Sequence, residues 1–317
     1  MSKFLNTLII GEGQINFATF ERKKDITLKA FSSYDFNFET LKELESALMS
    51  FTDLIKKNPI TNLIIINEEV IKNILTFNKS DFQNLKTLIY NDLKNTMGID
   101  ILEYFIDYEV LVEEEKIIVF VAAIPKSLFN EIFEYLKKFK LKLIALETDL
   151  NALKRFSLFL TPQPYVFAHL RKNECIILIV ENNFLFTKRE IKYGLNQMVD
   201  ILENDFSSRE EAEKNLIENG PVDRFTEIFD RASLEIQRSI DYYNSFYHRE
   251  PVKRIFLSGE FVKINNLEDY IAKLFNVEAQ KFDPIKIVNI ERRKKLKIEE
   301  AETFYFAELI GGGLRNY

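Results

Sequence analysis

The chain holds no tryptophan, one cysteine, two histidines, seven prolines and nine glycines in 317 residues. Each scarcity removes a class of function. Cys175 stands alone in an apolar run, which excludes a disulfide framework and a thiolate metal site. With His169 and His248 as the whole histidine complement, a histidine-based metal centre or catalytic triad is not expected, and no metal ligands and no catalytic residues are assigned. No run approaches the roughly 20 apolar residues of a membrane-crossing helix. The opening MSKFLNTLIIGEGQ lacks the long apolar core and small-residue cleavage site of an export signal, so a cytoplasmic location is expected. Excess basic charge is missing too. Against 49 Asp and Glu stand 43 Lys and Arg, a net −6, the wrong sign for a general nucleic-acid binder.

What is present is apolar and aromatic. Hydrophobic residues make up 46% and charged residues 29%, values of a globular chain rather than a disordered one. The 29 Phe and 13 Tyr are read mainly as core filling, with peptide-binding pockets as the lesser use. A length of 317 residues exceeds one ordinary core, which predicts two lobes.

Two segments begin alike. Residues 4–11, 14–20 and 26–32 read as consecutive strands with short turns, leading to an amphipathic helix over 38–57 with Leu41, Leu44, Leu48, Phe51 and Ile55 on one stripe. Residues 165–170, 174–180 and 184–188 repeat the three-strand start and lead to a helix near 195–204. Between them the pattern predicts a strand at 62–66, helices at 68–75 and 81–97 with Ser80 as N-cap, and a hairpin of strands 104–112 and 116–123 around Glu113-Glu114-Glu115. Helix 126–139, strand 142–147 and helix 150–159 follow. Thr161-Pro162-Gln163-Pro164 breaks the chain, which sets the expected lobes at 1–160 and 161–317.

Further on, Asn219-Gly220-Pro221 separates helices at 209–218 and 222–247; Ile228, Phe229, Ala232, Ile236 and Ile240 share one face of the longer helix. A short apolar strand at 254–257 then meets a Ser258-Gly259 turn and a helix at 267–275. A glycine turn between strand and helix lets backbone approach a nucleoside or phosphate with no Cβ in the way, although alone it is a weak signal.

The wording around that turn is specific. Ile236-Gln237-Arg238-Ser239-Ile240-Asp241-Tyr242-Tyr243 resembles the "EIQRSLDFY" helix of the type IV pilus assembly protein PilM family, a branch of the actin-like ATPase superfamily related to FtsA. Residues 254–260 resemble its "RILLSGGG" adenosine turn, and Leu267-Glu268-Asp269-Tyr270 its "GLxEYL" helix. Residues 80–111 resemble the family's 1C insert, down to Asp107-Tyr108-Glu109-Val110-Leu111 against "DYQVL". The stretches 121–125, 142–153 and 307–315 resemble three further blocks in the right order, so the resemblance covers nearly the whole chain. It implies an α/β, two-lobed actin-like fold of the duplicated ribonuclease H-like kind. The first lobe would be subdomain 1A with insert 1C at about 79–121. The second would be subdomains 2A and 2B, with the C-terminal helix returning toward the first lobe.

The resemblance also implies a nucleotide site, and there the chain departs from the pattern. In this superfamily each lobe begins with a phosphate loop carrying Asp-x-Gly, the Asp holding magnesium through water. The first loop here keeps Gly11, Gly13 and Gln14, but Ile9 stands at the Asp position and Asn16 where many relatives carry Lys. In the second loop His169 stands for the Asp and Arg171 for the Gly, while Gly194 is kept at the end of its hairpin. The adenosine turn keeps Ser258 and Gly259, with Glu260 for a second Gly; Glu235 and Arg238 lie on the face where relatives approach the adenosine. Glu12 and Glu174 would repel a triphosphate, and Arg171 and Lys172 would offset part of that. ATP with magnesium is therefore expected to bind weakly or not at all, and hydrolysis is not expected. The plainer readings are turn glycines at Gly11 and Gly13, a packed imidazole at His169, a structural turn at Ser258-Gly259, and solvated charges at Glu235 and Arg238.

In the family a groove between insert and first lobe accepts the N-terminal cytoplasmic peptide of PilN, an inner-membrane protein. Carried over, the groove candidates are Phe82, Leu85 and Ile89 on the insert's helix and Phe105 and Tyr108 on its hairpin; the alternative for each is a place in the core. The implied function is a cytoplasmic pilus-assembly scaffold, peripheral to the inner membrane through that partner and in reach of the motor ATPase and platform protein. The other readings are a working or polymerising actin-like ATPase and a cytoplasmic component of type II secretion like GspL. The Arg292-Arg293-Lys294-Lys295-Leu296-Lys297 run reads as a solvated edge or, less simply, a membrane-surface patch. Gly311-Gly312-Gly313 reads as a cleft lining or a fraying helix end.

Overall fold

The computed structural model describes residues 4–11, 13–22, 26–36, 42–158, 160–221, 225–290 and 305–315. The chain divides into two units, Met1–Phe156 with Val288–Thr303 and Glu308–Tyr317, and Ser157–Ile287 with Phe304–Ala307.

The first unit is built on β1 (Phe4–Gly11), β2 (Gly13–Arg22) and β3 (Ile26–Phe36), an antiparallel meander. It continues through α1 (Lys42–Ser50), α2 (Thr52–Lys57) and β4 (Ile60–Ile65), which lies parallel to β1. After the insert described below come α4 (Lys126–Lys138), β8 (Lys142–Thr148) and α5 (Asp149–Ser157). With β14 (Asn289–Ile290) the sheet order is β14-β3-β2-β1-β4-β8. β1 is central and buried from Leu5 to Gly11, including the polar Asn6 and Thr7. One face packs Leu8, Ile10, Phe17 and Leu63 against Leu44 and Leu48 of α1, Phe51 between the helices, Ile55 of α2, and Ile132 and Leu136 of α4.

The other face meets the C-terminal helix Phe306–Gly313 at near-contact distance. A Cβ on Gly311 would lie 2.0 Å from the Ala152 carbonyl oxygen of α5, one on Gly312 2.5 Å from Thr7 Cγ2, and one on Gly313 2.5 Å from the Phe20 ring. The three glycines are buried within the helix, so they are not a fraying end. They let helix backbone lie flat on α5 and the sheet.

The insert spans 71–125: β5 (Ile71–Asn78), a 3-10 turn at Lys79–Asn84, α3 (Leu85–Met97), and the hairpin β6 (Tyr104–Val112) and β7 (Lys116–Pro125). Its sheet runs β5-β7-β6, all antiparallel. The helix expected at 68–75 is absent; those residues form a turn and then β5. The 3.6-residue spacing of Val70, Ile71, Ile74 and Leu75 favoured a helix, but β-branched Ile71, Ile74 and Thr76 pair with β7 instead. The expected insert boundaries of 79–121 therefore omitted one strand and cut another short. Ser80 is no N-cap of α3 either; it lies within the 3-10 turn. The helix expected at 38–57 breaks at Phe51 into two, with 38–41 outside the described residues.

The second unit repeats the topology. Strands β9 (Tyr165–Leu170), β10 (Cys175–Glu181) and β11 (Phe184–Ile191) form the meander, with β12 (Arg254–Gly259) parallel to β9 and β13 (Glu278–Lys281) parallel to β12. The order β11-β10-β9-β12-β13 matches β3-β2-β1-β4-β8 of the first unit strand for strand. Between meander and β12 lie α6 (Leu195–Leu202), α7 (Arg209–Asn219) and α8 (Thr226–Tyr247); α9 (Leu267–Phe275) follows β12. The predicted stripe of α8 is buried at every position named for it.

Candidate functional site

In the first unit the β1–β2 turn carries Gly11 and Gly13. The pair Gly11 and Gln14 closes it, and Gly13 has φ +85°, the left-handed conformation that a tight hairpin turn needs. Ile9 is fully buried and pairs with Asn16 across the strands. Asn16 is itself fully buried, and its Nδ2 donates to Gln14 Oε1 at 3.4 Å. Glu12 lies outside the described residues.

The corresponding turn of the second unit, between β9 and β10, is held by its own side chains. Arg171 is buried, ion-paired to Glu174 at 2.5 Å and stacked over the Tyr305 ring at 5.2 Å. Lys172 pairs with Glu213 at 3.5 Å. The first amides of α6, which could receive an anion, are already committed. Leu195 N–H donates to the Arg171 carbonyl and Asn196 N–H to the Lys172 carbonyl, while Gly194 N–H donates to Gln197 Oε1. Gly194 is required by this closeness, since a Cβ there would lie 2.4–2.5 Å from backbone atoms of Lys172, Asn173 and Glu174.

Gly259 turns the chain at φ +66°, with Leu170 carbonyl oxygen 2.1 Å from where a Cβ would sit and the His169 ring at 3.0 Å. Ser258 is fully buried beside His169 in the parallel register, and Glu260 is buried and ion-paired to Lys263 at 2.7 Å. Glu235 bonds Arg189 at 2.8 Å and also holds Arg238.

The insert has two faces. Helix α3 covers one, burying Leu85, Ile89 and Leu93 against Val119 and Val121, with Ile106, Tyr108 and Val110 packed alongside. The opposite face looks onto the rest of the first unit and is tied to α5 by two ion pairs: Lys72 to Asp149 at 3.1 Å, both buried, and Lys154 to Glu109. A cavity of about 400 Å³ opens there, lined by Phe105, Asp107 and Glu109 of β6, Phe120 of β7, Glu147 of β8, and Arg315. Glu147 is buried between Arg155, at 2.8 Å, and Arg315. Phe105 sits at the mouth, its ring edge-on to Phe129 at 5.3 Å and under Lys126 at 5.7 Å.

No family model matches the sequence, and no curated protein matches it. Solved structures do. A chain of the PilM–PilN type IV pilus biogenesis complex superposes with a TM-score of 0.74 at 16% identity, over 98% of each chain. MreB5 of Spiroplasma citri bound to ADP matches with a TM-score of 0.52 at 9% identity, over 98% of this chain and 95% of that one. The cytoplasmic domain of EpsL, an inner-membrane component of the Vibrio cholerae type II secretion system, gives 0.51 at 8%, over 99% and 96%. The fold is actin-like.

On this actin-like frame the predicted residues separate into groups. Gly11, Gly13 and Gln14 sit together on the first turn; Gly194, Ser258 and Gly259 are fixed by packing in the second unit, where Glu235 and Arg238 join a salt-bridge chain with Arg189. Of the groove candidates, Phe105 lines the cavity and Tyr108 borders it. Leu85 and Ile89 lie in the insert's own core, and Phe82 is exposed on the 3-10 turn. Missed altogether were Asp107, Glu109, Glu147 and Arg315. The hairpin register held the signal for the first two, because Phe105, Asp107 and Glu109 alternate onto one face. Among the described residues no cluster of acidic, His or Cys side chains could hold a metal, and no helix is long and apolar enough to cross a membrane. The basic run 292–297 lies outside the described residues.

Proposed function

We propose that this chain is an actin-like scaffold of a type IV pilus assembly machine, which takes the N-terminal peptide of a PilN-like inner-membrane protein into the cavity beneath its insert. The supporting observation is the likeness to a chain of the PilM–PilN complex at a TM-score of 0.74, over a coverage too high to skip the insert. MreB5 and the EpsL domain stand at 0.52 and 0.51. In this reading the chain works on the cytoplasmic side of the inner membrane and couples its partner to the platform protein and motor ATPase.

Nucleotide is a minor or absent part of this function. A triphosphate with magnesium needs carboxylates for the metal and free amides or cations for phosphate. Ile9 and His169 stand at the two carboxylate positions, Arg171 is engaged by Glu174, and the α6 amides are engaged by the β9–β10 turn.

Calorimetry tests both halves. Titrating the folded chain with a decapeptide copying the partner's N-terminus should give saturable heat, and Phe105→Asp should abolish it. Silence with the unmodified peptide would sink the partner assignment. ATP with magnesium should give no turnover and dissociation weaker than micromolar. Tight binding with hydrolysis would favour the working-ATPase reading.

A further inference from the structure

Strand β6 is an outer strand of the insert sheet, paired among the described residues with β7 alone. Its register tells which backbone groups are left over. The hairpin closes with Glu113 N–H donating to the Lys116 carbonyl at 2.9 Å. Bonded pairs then alternate back along the ladder, so 105, 107, 109 and 111 direct N–H and C=O toward β7, while 106, 108 and 110 direct theirs outward. Strand β8 is likewise outermost in the larger sheet, and both strands line the same cavity.

An open row of amides is a template for another strand. At Tyr108 this template is capped: its outward N–H donates to Asp107 Oδ1, 2.9 Å away. The far edge of the sheet carries the same device, Ile74 N–H donating to Asn73 Oδ1 at 2.9 Å. The caps differ in charge and surroundings. Asn73 is neutral. Asp107 is an exposed carboxylate on the cavity, and the other lining carboxylates already hold cations, Glu109 with Lys154 and Glu147 with Arg155 and Arg315.

Resting on the peptide reading above, we infer that the cavity's occupant is an extended segment that joins β6 as a fourth strand and carries one cation opposite Asp107. The occupant's carbonyl takes over the Tyr108 N–H. The released Asp107 carboxylate then pairs with a Lys or Arg side chain, or a free amino terminus, of the occupant. The same carboxylate that shields the empty edge thereby selects what covers it. Apolar side chains of the segment fill the space beside Phe105 and Phe120. This is recognition by strand addition, in which main-chain bonds supply affinity and alternate side chains supply choice.

The experiment uses the full chain with three synthetic decapeptides: the membrane partner's N-terminal sequence, and two copies N-methylated at odd or at even positions. One methylated series should lose at least about tenfold in affinity and the other little, because only every second amide of an added strand faces β6. Hydrogen exchange at the amides of 106, 108 and 110 should slow on binding of the unmodified peptide. Asp107→Asn keeps a cap and removes the charge. It should weaken binding about two- to fivefold at low salt and remove most of its salt dependence. Equal affinity of the two methylated series, or unchanged exchange on β6 with the peptide bound, would overturn strand addition and leave the cavity reading intact. A variant with unaltered affinity at low salt would overturn the role of Asp107. No binding of the unmodified peptide removes the reading beneath both.

Discussion

Gly194 enters α6 with the backbone of residues 172–174 pressed against its Cα, and no side chain lies between that could give way. Gly194→Ala should therefore cost about 1–3 kcal/mol, the range of overpacked cores, seen as a lower urea midpoint with an unchanged m-value. A midpoint equal to the parent's would show that the β9–β10 turn moves freely. Such glycines were legible as turn formers, because strand-to-helix transitions announce themselves in wording such as Leu257-Ser258-Gly259. Gly311, Gly312 and Gly313 were not, because nothing in a run of three glycines says whether a helix, a loop or a fraying end holds them. What decides is the nearness of Ala152, Thr7 and Phe20, none close in sequence.

Among elements, the insert depends on α5. Asp149 at the start of that helix holds Lys72 of β5, and Lys154, one and a half turns on, holds Glu109 of β6. The first pair is buried on both sides, so Asp149→Ala takes a carboxylate away from a buried ammonium and should cost about 3–5 kcal/mol. The double variant Lys72→Met/Asp149→Leu should recover most of it, because replacing both charges by apolar side chains removes their desolvation cost along with their attraction. Chemical denaturation of parent, single and double variants reads this directly; a double variant no better than the single would refute it. Elements with local signals were legible: the acidic hairpin around Glu113-Glu114-Glu115, the stripe of α8, the start of α9. Strand β5 was not. Its apolar spacing fits either period, and only pairing with β7, some fifty residues away, settles it.

Over the whole molecule, the duplication seen as two three-strand starts becomes two sheets of matching strand order. The second unit has a further property no pattern reveals. Burial pushes the Tyr193 hydroxyl up from 10.0 to about 12, and raises Tyr165 and Tyr243 further. For Tyr243 the neighbouring Glu181 carboxylate adds to burial. A phenol raised in the folded state is proton-bound there after the unfolded chain has let its proton go. Stability from these groups is thus complete below pH 10 and falls as pH rises from 10 toward 12. Urea midpoints should be level between pH 8 and 9.5 and drop beyond pH 10. A midpoint level to pH 11.5 would mean that these hydroxyls ionise without resistance.

The glycine-bearing helix has a consequence for synthesis. The first unit is assembled from three separated stretches, the last beginning at Glu308. While the ribosome is still adding the second unit, the face of the first sheet around Thr7, Phe20 and Asn62 has no helix lying on it. The usual vectorial order, in which the N-terminal body matures first, is reversed here. The middle of the chain can mature on its own, and the beginning waits for the end. Nascent chains stalled before residue 308 should leave the first unit open to protease, and chains stalled with that helix clear of the exit tunnel should not.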